Sequence, residues 1–162
     1  MEFTSKEKFE EAEKIEKLRN KVLKYILYKK RTETEVRQKF IDEDENMLED
    51  VIEYLKGQNY INDKEYIERA VKEFIALKKM SIKEMVYKIS QKGVSKSLID
   101  EYICENKETI VKYEISSAKA IILKKIQSQE ENVIREYLYK KGYMRRMCKY
   151  SIWWHTKWMS RK

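Results

Sequence analysis

The chain has no proline and only three glycines in 162 residues, Gly57, Gly93 and Gly142. That is too little turn chemistry for a hairpin-rich all-β protein, and no glycine-rich cradle for ATP phosphates can be built from it. Cysteine is almost as scarce. Cys104 and Cys148 lack C-x-x-C spacing and a partner histidine, so no zinc site is expected, and both read as buried thiols in a reducing compartment. One histidine, His155, is thin material for acid–base or metal chemistry near neutral pH, so neither catalysis nor a cofactor nor a metal is expected. No apolar run reaches the roughly 20 residues needed to cross a bilayer. The charged segment 1–16 also lacks the apolar core of a signal peptide, so the expected location is the cytoplasm, away from membranes.

What is abundant is charge and helix-forming sequence: 40% of residues are charged and 42% apolar. The net charge of +8 has a definite place. Glu136 is the last acidic residue, and after it stand eight cations, Lys140, Lys141, Arg145, Arg146, Lys149, Lys157, Arg161 and Lys162, so residues 1–136 balance to zero. The same tail carries Tyr137, Tyr139, Tyr143, Tyr150, Trp153, Trp154 and Trp158. Cations interleaved with aromatics neutralise phosphates and stack on exposed bases, which makes nucleic acid or an acidic protein groove a natural partner. The competing reading is a last helix that turns Ile152, Trp154 and Trp158 into a core.

An internal repeat organises the rest. At an offset of 49 residues Val22, Tyr25 and Tyr28 fall on Val71, Phe74 and Leu77, then on Ala120, Leu123 and Ile126, sets spaced as helix core faces. Thr32, Val36 and Phe40 fall on Ser81, Met85 and Ile89, then on Glu130, Ile134 and Leu138. Thr32 with Glu35 and Ser81 with Glu84 spell capping boxes, which the third copy has lost. Gly93 falls on Gly142, each preceded by lysine and followed by an apolar residue, as expected of a left-handed helix cap. Third stretches follow at Leu48–Leu55, Leu98–Ile103 and Met147–Ile152. The expected fold is all-α, an elongated, curved array of three tandem three-helix repeats, each resembling a helix-turn-helix, with nine or ten helices in all. The expected segments are a short charged helix at 1–14 and repeats at 15–62, 63–111 and 112–162.

Third helices do not open with the Arg, Asn or Gln sets that read base edges, so sequence-specific duplex recognition is not expected. The acidic run 42–45 lacks the spacing of a calcium loop and reads as a solvated turn. Second helices are richer in cations: Arg37 and Lys39, then Lys83, Lys88 and Lys92, then Arg135, Lys140 and Lys141. With Arg145, Arg146 and Lys149 they are the candidate contacts to a partner or to DNA.

The motifs resemble the RecX family, bacterial regulators of the RecA recombinase, over about residues 15–143. Arg31-Thr32-Glu33-Thr34-Glu35-Val36 resembles the family's R-S-x-x-E-L opening of a second helix. Residues 55–66, Leu-Lys-Gly-Gln-Asn-Tyr-Ile-Asn-Asp-Lys-Glu-Tyr, resemble its L-x-x-x-G-Y-L-D-D-x-x-F/Y junction, with Asn59 at a usual glycine position. Ser81-Ile82-Lys83-Glu84 and the Gln91–Ser95 stretch resemble its I-x-x-E-L-x-x-K-G-I segment. In the junction Tyr60, Ile61 and Tyr66 read as core, and Asn62 or Asp63 as a helix cap. The resemblance implies a non-enzymatic protein, expected to be monomeric, that lies in the groove of the RecA filament and lowers its growth, ATP hydrolysis and strand exchange. Met144 and the segment 153–158 depart from the family pattern. A non-sequence-specific DNA-binding module acting through the basic aromatic tail is the alternative, and a helical scaffold for an unrelated partner is a third.

Overall fold

The structure, a computed structural model, describes residues 5–77 and 80–145. Among the described residues there are eight α-helices and no strand: α1 (Ser5–Tyr28), α2 (Glu33–Lys39), α3 (Glu45–Gly57), α4 (Asp63–Leu77), α5 (Ile82–Ser90), α6 (Lys96–Glu105), α7 (Lys107–Lys125) and α8 (Glu131–Lys140). The charged leading helix and the first helix of the first repeat are a single helix, because nothing between Ser5 and Tyr28 breaks one and Glu13 supports Lys17 at 2.7 Å. A third helix for the last repeat would fall on Met147–Ile152, outside the described residues.

Two compact units form. One comprises the described residues up to Tyr66 with Lys92–Val94; the other comprises Ile67–Gln91 and those from Ser95 onward. In the first, Leu18, Val22 and Ile26, four residues apart on α1, close on Val36 of α2 and on Leu48, Val51, Ile52 and Leu55 of α3. In the second, Ala118 and Ile122 of α7 pack on Ile134 and Leu138 of α8 and on Tyr143. Burying a side chain of this kind contributes roughly 1.5–3 kcal/mol, which is how helices as short as α2 persist.

The expected core stripe holds only in part. Val22 and Val71 are buried, but Tyr28, Leu77 and Leu123 are exposed, and so is Ala120. In α7 the buried positions are Ile110, Tyr113, Glu114, Ser117, Ala118 and Ile122, two residues out of the 49-residue register. The reason is the linker. Gln58–Asn62 separates α3 from α4, whereas Asn106 alone separates α6 from α7. Two further expectations are corrected. Tyr60 is 40% exposed rather than core, while Ile61 beside it is buried. Cys104 is exposed rather than buried, because it lies on the outer side of α6 away from Ile99; Cys148 lies outside the described residues.

Within each unit the start of a second helix is met by a later turn, and one device does this twice. Thr32 caps α2 by accepting from the Glu35 N–H at 3.1 Å, and the Glu35 carboxylate reaches back to the Thr32 N–H, completing the capping box. The Thr32 hydroxyl also donates, to the Lys92 carbonyl 2.6 Å away, and the Thr34 hydroxyl donates to the Gly93 carbonyl. Forty-nine residues on, Ser81 caps α5 through the Glu84 N–H and donates to the Lys141 carbonyl at 2.7 Å. The turn that supplies each carbonyl is left-handed, with φ +78° at Gly93 and +88° at Gly142. Glycine is required there twice over. A Cβ on Gly93 would stand 2.3 Å from the Thr34 Cβ, and one on Gly142 would stand 3.0 Å from the Ser81 hydroxyl. We call each of these joints a clasp. At Asn59, φ +61°, asparagine takes the left-handed position after α3 that the family fills with glycine.

Gly93→Ala is expected to cost about 1–3 kcal/mol, since left-handed strain and the collision with Thr34 add. Gly57→Ala, helical with nothing within 4 Å of the new Cβ, is expected to be neutral or to stabilise by up to about 1 kcal/mol. Urea midpoints of the two variants check the contrast; equal shifts would contradict it.

Candidate partner-binding surface

The candidate cations separate into those the fold consumes and those it leaves to solvent. Arg37 of α2 is held by two carboxylates, with Nη1 2.6 Å from Glu49 and Nη2 2.7 Å from Glu33. Glu49 first, then Glu33, hold its proton even more tightly than usual. Lys56 of α3 joins Glu33 at 3.2 Å. Burial of Glu33 opposes its ionisation, but Arg37 and Lys56 outweigh it and its carboxyl stays below the ordinary value. Lys92 belongs to the first clasp. Its ammonium lies 3.0 Å from Glu35, whose hydrogen bond raises its pKa. Lys88 sits 3.7 Å from Glu84 and over the Phe74 ring, and Arg135 pairs with Glu131 one turn back.

Lys39, Lys83, Lys140 and Lys141 make no ion pair with a described residue. The stem of Lys83 leans on Gly142, and Lys141 supplies its backbone carbonyl to Ser81. Arg145 stacks on the ring of Tyr139, 4.7 Å from its centre, and that tyrosine is 54% exposed. A guanidinium over an exposed aromatic face, beside two unpaired lysines, suits a phosphate with an adjoining base. Arg146, Lys149, His155 and the three tryptophans lie outside the described residues.

The structural motif residues meet at the clasps rather than in an open site. Thr32, Glu35 and Gly93 form the first, and Ser81, Glu84 and Gly142 the second. Asn62 caps α4 by accepting from the Glu65 N–H at 3.0 Å, which frees Asp63 for another task. The Asp63 carboxylate accepts from the Glu33 N–H, the first free amide of α2, at 3.0 Å. Burial raises its pKa against that hydrogen bond. The Ile82 N–H, first of α5, is met by Glu114 in the corresponding way. Thr34 and Glu114 escaped the sequence reading; Thr34 aligned with a lysine and Glu114 is one of many charged residues, so neither carried a local signal. No group of three or more His, Cys, Asp and Glu side chains able to hold a metal occurs among the described residues. Nor, among these residues, is any helix long and apolar enough to cross a membrane.

Comparison with known proteins places this arrangement. No family model matches the chain. It is 29% identical over 141 residues to the regulatory protein RecX of Clostridium beijerinckii, covering 82% of this chain and 65% of that protein. It is 32% identical over 139 residues to the RecX of Clostridium botulinum strain Eklund 17B, covering 78% and 63%. The chain thus spans just under two thirds of the length of these curated relatives. Among solved structures, the crystal structure of RecX from Lactobacillus salivarius superposes with a TM-score of 0.74 at 24% identity, covering 87% of this chain and 96% of that one. A second crystal structure, of a regulatory protein RecX, gives 0.76 over 92% and 79%.

Arg37→Ala is expected to lower stability by roughly 1 kcal/mol, because the two carboxylates it joins are left facing each other. Lys140→Ala and Lys141→Ala are expected to shift it by less than about 0.5 kcal/mol. Chemical denaturation of the three variants separates a structural cation from free ones.

Proposed function

The chain belongs to the RecX family of regulatory proteins, and from that premise we propose that it is a non-enzymatic, cytoplasmic regulator of homologous recombination and DNA repair. It binds the RecA nucleoprotein filament along its groove as a monomer and lowers filament growth, ATP hydrolysis and strand exchange. One observation supports this reading above others. The residues that carry the family resemblance, Thr32, Glu35, Lys92 and Gly93, converge on a joint between backbone segments 60 residues apart. Motif residues spent on holding a helix start against a turn fit a protein that works by presenting a folded surface, with no bond made or broken. The three-repeat division at 15–62, 63–111 and 112–162 belongs to the same proposal.

A second reading has its own support. The unpaired Lys140 and Lys141, and Arg145 on Tyr139, begin a tail in which the whole net charge of +8 resides. On that reading the chain binds DNA without sequence preference and needs no protein partner. Salt separates the two, because a phosphate binder loses about 0.7 logarithmic units of affinity per contact for each tenfold rise in salt on single strands.

Titrating the protein into RecA hydrolysing ATP on single-stranded DNA tests the first reading. Inhibition at well under one molecule per recombinase, with weak binding to bare DNA, is the expected result. Unchanged hydrolysis beside tight, salt-sensitive binding to bare DNA would overturn it. On the second reading Lys140→Ala with Lys141→Ala should reduce the salt slope by up to about 1.4.

A further inference from the structure

The two clasps are built on one plan and differ in their reinforcement and in the carboxyl that meets the helix start. In the first, Asp63 keeps partial access to water and sits 3.0 Å from its helix amide; two hydroxyl-to-carbonyl bonds and the Lys92–Glu35 ion pair reinforce the joint. In the second, Ser81 donates to the Lys141 carbonyl of the turn. The carboxyl that meets the helix N-terminus, Glu114, is 1% exposed; Oε1 lies a long 3.4 Å from the Ile82 N–H, and Oε2, fully buried, has no hydrogen-bond partner among the described residues. We propose that Glu114 is a proton-controlled latch on the second clasp: uncharged, it lets the turn at 141–143 stay closed on the start of α5; ionised, it admits water and releases that turn. This holds whatever the chain binds, so its failure and that of the RecA reading are separate.

The argument is one of solvation. A neutral carboxyl in this place lacks one hydrogen bond, whereas an unsolvated carboxylate costs several times more. The facing groups offer little relief. At the start of α5 stand Ser81, committed to Lys141, and Glu84, whose charge acts on Tyr143; the stem of Lys83 runs against Gly142. From α7 come Ser117 and Tyr113, the latter committed to the Met80 carbonyl at 2.8 Å. After α8 stands Tyr143, which shares a 2.6 Å hydrogen bond with Ser117, and burial holds its phenol neutral to higher pH than usual. Burial accordingly raises the Glu114 pKa, with only the Ile82 N–H working against it. The sign follows from proton counting. The closed clasp keeps the proton to higher pH than the open one, so closure weakens as pH rises between the ordinary glutamate value and the raised one.

Hydrogen exchange on the full chain, corrected for the intrinsic pH dependence of amide exchange, tests this at residues 82–86 and 138–143. Protection there should fall with rising pH across that window, by up to about tenfold per pH unit. In Glu114→Gln, whose amide oxygen can still accept from Ile82 and carries no charge, that dependence should vanish. The same dependence in the variant, or none in the wild type, would overturn the proposal. Should the variant fail to fold, carboxyl-carbon NMR of the wild-type protein decides alone: a Glu114 resonance titrating well above ordinary glutamates supports the latch, and one titrating with them overturns it.

Discussion

A single hydroxyl group that accepts from its own helix and donates across the chain organises this molecule. Thr32 ends α2 by taking the Glu35 N–H, and the proton it retains goes to the carbonyl of Lys92. A backbone carbonyl can meet a helix N-terminus that closely only if the next residue carries no side chain and turns left-handed, which is what Gly93 does. One local cap thus becomes a long-range constraint. Its repetition at Ser81, Lys141 and Gly142 shows the same solution used wherever a second helix meets the turn 60 residues later. In the third copy Glu130 replaces the hydroxyl and makes no side-chain cap. Without a hydroxyl there, the donor that the two clasps use is absent from α8.

The same economy governs charge. A chain with 40% charged residues supports its short helices with pairs one turn apart and anchors the α2 and α3 surface through Arg37 and Lys56. Exposed pairs contribute little singly, but they decide which cations remain for a partner. Arg37, Lys88, Lys92 and Arg135 are engaged within the fold, and Lys39, Lys83, Lys140 and Lys141 are not. The surface offered to a partner is therefore narrower than the list of second-helix cations implies.

Much of this was legible from residue order, and the exceptions have physical causes. Caps and left-handed glycines depend on neighbours within four residues, so Thr32 with Glu35, Ser81, Gly93 and Gly142 announced themselves. The α7 core did not, because a fixed offset assumes constant linkers and Asn106 alone joins α6 to α7. Tyr60 passed for core because aromatic character says nothing of which side of a turn it occupies. The second role of Thr32 and the burial of Glu114 depend on partners 60 and 32 residues away, and no local spacing encodes them.

The claim on which the rest depends is that the turn at Gly93 is pressed against Thr34 by the clasp. A double-mutant cycle of Gly93→Ala with Thr34→Gly, followed by urea denaturation, measures it directly. The account predicts that alanine at 93 costs markedly less once the Thr34 side chain is gone, with a coupling of about 1 kcal/mol or more. Additive effects, within about 0.5 kcal/mol, would mean that the two residues do not touch and that the turn is not pressed against the start of α2.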